Sequence, residues 1–154
     1  MVSELKFGVT TMDKNGCGVI ATYNAMKILD KPKDIRDIAY HYEKVGQVLG
    51  GLFVTTPYSI KRYFESGGYK VKTIEGENIT KGNLPDADAY IVSFWNSDDA
   101  MDSIHTVAMR KTSDGKYELF NYDSKSKKSK IVPDLGEKLL SDETIPLVLY
   151  CISK

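Results

Sequence analysis

The sequence predicts an α+β protein in which a helical first half is followed by a strand-rich second half. Three observations carry this expectation. Three segments between residues 17 and 66 have helical apolar spacing with recognisable ends, and β-branched and aromatic runs follow from residue 70 to 152. No repeat, low-complexity linker or shift of composition divides the 154 residues, so a single domain over 1–154 is expected, long enough for a real hydrophobic core. Helices first and strands after is the order of an α+β fold rather than of alternating βαβ units.

The first helix is CGVIATYNAMKIL, residues 17–29. Val19, Ile20, Tyr23, Ala25, Met26, Ile28 and Leu29 leave it almost no polar side, so it should be buried on most of its surface. Asp13 and Asn15 upstream are natural caps, and Gly16 permits a tight approach to the first turn. A second helix is expected from Asp34 to Lys44, where Ile35, Ile38, Ala39, Tyr42 and Val45 form one apolar stripe. A third should begin with Thr56 as cap and Pro57 in the first helical position, and stop at Gly67-Gly68. The strands are KVKTI (70–74), AYIVSFW (89–95), IHTVAMRKT (104–112), KYELFNY (116–122) and IPLVLYCI (145–152), with Ser113-Asp114-Gly115 as a hairpin turn. The expected architecture is a buried N-terminal helix carrying Cys17, packed on an antiparallel sheet of about four to six strands.

Lys plus Arg equals Asp plus Glu at 21 each, so no net field recruits nucleic acid or an acidic membrane. Lysines 125, 127, 128 and 130 read as the solvated tip of a hairpin, not as a nucleic-acid patch. The ten tyrosines are spread along the chain, without the clustering of a stacking platform. No run reaches the ~18 apolar residues of a membrane span. MVSELKFGVT lacks the basic-then-apolar pattern of a signal peptide. A cytoplasmic location is expected, with secretion open only to a chain that carries a further leader. Two cysteines and two histidines supply neither a disulfide framework nor the paired spacing of a zinc site, so no metal or cofactor is expected.

Cys17 is where chemistry concentrates. At the first turn of a helix the positive end of the dipole favours thiolate over thiol, and the same amides can hold an oxyanion. Gly16 and Gly18 would let a substrate backbone come close. The bland alternative is a cysteine that packs as a small hydrophobe. His105 near the start of its strand, after the polar loop NSDDAMDS, is the candidate base. Alternation puts it on one face with Val107 and Met109, and Ile104, Thr106 and Ala108 on the other. Asn121, on the partner strand of the hairpin, can orient the imidazole through its second nitrogen. His41, on the polar edge of the second helix, reads as solvent-facing, and Cys151 in LVLYCI as core.

NGCGVIATYNAMKIL resembles the cysteine-helix motif of the bacteriocin-processing peptidases. These are the papain-like domains fused to peptide-exporting ABC transporters, together with their stand-alone relatives. The likeness is one of order and spacing, and it runs through most of the chain. DIRDIAYHYEKVGQVLGGLFVTTPYSIKRYFESGGYKVKTI is similar to the family's two helices, glycine-containing loop and strand, and LPDADAYIVSFW to the strand before its histidine. IHTVAMRKTSDGKYELFNYD is similar to its hairpin, with Asn121 sixteen residues after His105. The resemblance implies a papain-like cysteine peptidase fold and hydrolysis of a peptide or amide bond through a thioester on Cys17. There are two departures. The family has Asp where this chain has Asn121, as papain does, and Asp123 is the fallback. Papain-like enzymes carry an oxyanion-binding Gln six residues before the cysteine, where Thr11 stands here; its hydroxyl, the Asn15 amide or backbone N–H groups would substitute. Gly50 and Gly51, with Phe53, are expected on the wall of the substrate cleft, and a peptide or protein is the expected partner. Two other readings keep the same fold: an acyltransferase or deamidase working through the same thioester, and a non-catalytic peptide-binding module.

Overall fold

The structure, a computed structural model, describes residues 6–7, 10–11, 17–45, 57–80, 84–96, 104–120, 129–133 and 144–154. Among the described residues there are three α-helices, α1 (Cys17–Ile28), α2 (Ile35–Val45) and α3 (Pro57–Ser66), and one 3-10 turn at Gly76–Ile79. Of residues 18–29 only Lys27 is exposed, as expected of a helix with so little polar surface. It ends where Asp30 turns left-handed (φ 58), and the Lys31 N–H reaches back to the Met26 carbonyl at 3.0 Å. The cap of α2 is Asp34, whose Oδ1 accepts from the Arg36 N–H at 2.8 Å. Gly68 (φ 88) closes α3, and the Tyr69 N–H bonds the Phe64 carbonyl at 3.1 Å while the two rings meet edge-on.

A two-stranded ribbon, β1 (Lys6–Phe7) with β2 (Thr10–Thr11), precedes the helices. The main sheet has six strands: β3 (Lys70–Glu75), β4 (Ala89–Asn96), β5 (Ile104–Lys111), β6 (Tyr117–Phe120), β7 (Lys130–Val132) and β8 (Thr144–Ser153). Their order is β3-β8-β4-β5-β6-β7 and every pairing is antiparallel. The expected antiparallel sheet is present. The ribbon and β7 were not expected, and Lys130, assigned to a loop tip, pairs with Leu119 instead. The hairpin between β5 and β6 turns at Gly115 (φ 83), a conformation that L side chains rarely adopt.

All three helices cover one face of the sheet. Val19, Ala25, Met26 and Leu29 of α1, Ile38 and Tyr42 of α2, and Ile60 and Phe64 of α3 pack against Ala89, Ile91, Ala108, Tyr150 and Ile152. The alanines let α1 sit close, and α1 packs mainly on β5. The other face buries Tyr90, Val92, Phe94, Val107, Met109, Leu119, Val132, Leu149 and Cys151, in one cluster with Ile79 and Leu84. Removing each large side chain from water contributes ~1.5–3 kcal/mol before chain entropy is counted. Among the described residues no helix is long and apolar enough to cross a membrane.

Among the described residues the β4–β8 ladder is interrupted at one point. Ser93 pairs with Val148, but Phe94 pairs with Pro146, so Leu147 is an extra residue on β8. The cause is Pro146, which has no N–H to give a central strand and is tolerated there at a bulge.

Candidate functional site

Cys17 is the first residue of α1, and its side chain lies outside what the structure describes. By helix geometry the N–H groups of the first turn have no intrahelical acceptor, and they and the helix dipole favour a negative charge placed there. Gly18, in that turn, is buried.

His105 is the second residue of β5, the strand on which α1 packs. It is half-buried, and its ring meets Phe94 edge-on at 5.5 Å between centroids. Phe94 is its partner across the β4–β5 ladder, so the two share a face, together with Val107 and Met109. The alternation expected from sequence holds. That face is the one turned away from the helices. On the helix face, at the next register position of the ladder, Ser93 Oγ and Thr106 Oγ1 lie 2.8 Å apart, both buried. The β8 bulge lies across β4 from this pair, at the Phe94 register. Sequence reasoning gave no role to Ser93, Thr106 or the bulge, although a proline inside the apolar run TIPLVLYCI was a usable signal for the bulge.

Thr11 lies in β2, paired with Lys6. Asn15, Gly16, Gly50, Gly51, Phe53, Asn121 and Asp123 lie outside the described residues. The structure therefore brings the helix of Cys17 and the strand of His105 together; β6 is described up to Phe120, the residue before Asn121.

The other thiol and the other imidazole have different surroundings. Cys151 is free and buried in β8, as expected of core, and burial pushes its thiol up to about 11 against a smaller downward pull from Lys72. His41 differs from expectation. It is half-buried, edge-on to Tyr63 at 5.0 Å and to Tyr42 at 5.6 Å, because α3 supplies a ring that covers the polar edge of α2. Burial, and secondarily Lys33, lower its pKa. Among the described residues no three His, Cys, Asp or Glu side chains gather as a metal site. In comparisons with known proteins, no family model matches the chain and no curated protein matches it.

Proposed function

We propose that the chain is a papain-like cysteine peptidase or amidase, a stand-alone domain of the bacteriocin-processing type, acting on a peptide or protein. The observation that carries this reading is the packing of α1, which opens with Cys17, directly on β5, whose second residue is His105. The two elements are far apart in sequence, and His105 lies on the face of β5 opposite α1, so the proposed pair would meet around the end of that strand.

In the proposed reaction His105 takes the Cys17 proton and the thiolate attacks the carbonyl carbon. First-turn amides stabilise the oxyanion, helped by Thr11 or Asn15 in place of the usual Gln. As the tetrahedral adduct collapses, the C–N bond breaks and the amine leaves with the proton from the imidazolium. Water, deprotonated by His105, then releases the acid and restores the thiol. Asn121 or Asp123 orients the imidazole. A competent pair needs the Cys17 sulfur within about 3–4.5 Å of an imidazole nitrogen.

The test is covalent labelling with a peptide vinyl sulfone bearing Gly-Gly at its reactive end, with the adduct located by peptide mass. Labelling should fall on Cys17 and vanish in Cys17→Ala. His105→Ala should slow it ~100-fold or more, and Asn121→Ala less. Labelling that is indifferent to His105→Ala, or equal at Cys151, would leave a binding module of the same fold. Turnover that releases ammonia or transfers the acyl group to an amine would instead identify a deamidase or acyltransferase.

A further inference from the structure

A buried hydroxyl relay reaches the first turn of α1 from α2. Thr22 and Tyr42 are both wholly buried (0 % exposed). The Thr22 hydroxyl donates to the Gly18 carbonyl at 2.8 Å, and its oxygen lies 2.8 Å from the Tyr42 hydroxyl. A threonine hydroxyl has one proton, here committed to the carbonyl, so Tyr42 is the donor to Thr22. The relay therefore runs one way, from Tyr42 O–H through Thr22 O–H to the Gly18 C=O. Tyr42 is held in place by stacking on Tyr63 at 5.5 Å and by the edge of His41. Burial keeps its phenol protonated far above the ordinary range, so the donor persists at any working pH.

The fold alone does not require this relay. By helix geometry the Gly18 carbonyl already accepts from the Thr22 N–H. A Val and a Phe would fill the same space without desolvating two hydroxyls. What the relay adds is local. A second donor on a first-turn carbonyl polarises the Gly18–Val19 peptide unit and strengthens the Val19 N–H as a donor. A threonine bonded back to its i−4 carbonyl also sets the bend of the turn. That turn begins at Cys17.

We propose that Tyr42 and Thr22 are positioning residues for Cys17, holding the first turn of α1 and polarising its amides so that the thiolate forms more readily. The proposal rests on the peptidase reading of Cys17 and names what tunes it.

The experiment is the pH dependence of Cys17 alkylation by iodoacetamide in the full chain, with the adduct assigned by peptide mass so that Cys151 is not counted. The wild type should break below the ~8.5 of an ordinary thiol. Tyr42→Phe keeps the ring in its stack and removes one oxygen; Thr22→Val removes the relay at its middle. Each should raise the break by about half a pH unit and slow alkylation ~3-fold below it. Thr22→Ser, which keeps the hydroxyl, should restore the wild-type profile. An activated wild type with unshifted, folded variants overturns the proposal and leaves the peptidase reading standing. A wild-type break at the ordinary value, unmoved by His105→Ala, overturns that reading and the proposal with it. If Tyr42→Phe and Thr22→Val both fail to fold, the relay is structural and the proposal falls.

Discussion

Ser93 and Thr106 offer a quantitative test of how the strand carrying His105 is held. Their hydroxyls lie 2.8 Å apart between β4 and β5, and each residue is only 1 % exposed. Replacing Thr106 by Val is nearly isosteric but strands the Ser93 hydroxyl in a dry site. An orphaned buried hydroxyl costs ~1–3 kcal/mol, while the new methyl offsets up to ~0.8 kcal/mol. The expected net loss is ~1–2 kcal/mol, or ~2–8 °C in Tm for a chain of this size. Ser93→Ala should cost a similar amount by orphaning Thr106. The double variant removes both partners together, so it should lie within ~1 kcal/mol of wild type. The coupling energy is then ~1–3 kcal/mol, well above the ~0.5 kcal/mol of independent sites. Urea denaturation followed by the fluorescence of Trp95, the one tryptophan, gives all four stabilities, with equal m-values as the check on two-state behaviour. Additive single variants would overturn this coupling, because the two hydroxyls would then not depend on each other.

Two further outcomes follow from the titrating side chains. Cys151 should alkylate far more slowly than Cys17 in the native protein. Since its folded pKa of about 11 lies above that of an unfolded thiol, its contribution to stability should be complete below pH ~8.5 and lost as pH rises toward 11, a loss that Cys151→Ala should remove from the alkaline limb of a denaturation series. His41 has the opposite sign. Its folded pKa is lowered, so the stability it contributes is present above the ordinary histidine value and lost as pH falls through the folded one; an NMR titration should place its midpoint below ~6.5, and Lys33→Ala should raise it.

Much of the fold was legible because its signals are local. Apolar spacing marked α1, α2 and α3, glycine and proline marked their ends, and the expected ends lie within a residue or so of those observed. Cys151 read correctly as core for the same reason. What escaped depends on partners distant in sequence. His41 lies on the polar edge of α2, but Tyr63 arrives from α3 to cover it. Strand β7 is short and exposed on Lys130 and Ile131, so its own residues carry little strand signal; pairing with β6 makes it a strand. Thr22 and Tyr42 sit twenty residues apart, and no one-dimensional period connects a threonine in one helix with a tyrosine in the next.

The sequence offers the proposed site only as residue types, and the geometry adds a constraint on how Cys17 and His105 can meet. Alternation gives His105 the face of Phe94, Val107 and Met109, whereas α1 lies on the face of Ala108. In the middle of β5 an imidazole so directed would be separated from the helix by the sheet itself. At the second residue of the strand it has only the rim to cross, and there the β4–β8 register slips by one residue at Pro146. A bulge increases local twist and re-aims the side chains beside it. The proposed pairing of Cys17 with His105 therefore has to be made around the end of the sheet. The Phe94 ring meets that of His105, and the buried Ser93–Thr106 bond and the bulge at Pro146 lie beside it, so in the proposed chemistry four residues outside the triad bear on how His105 is held.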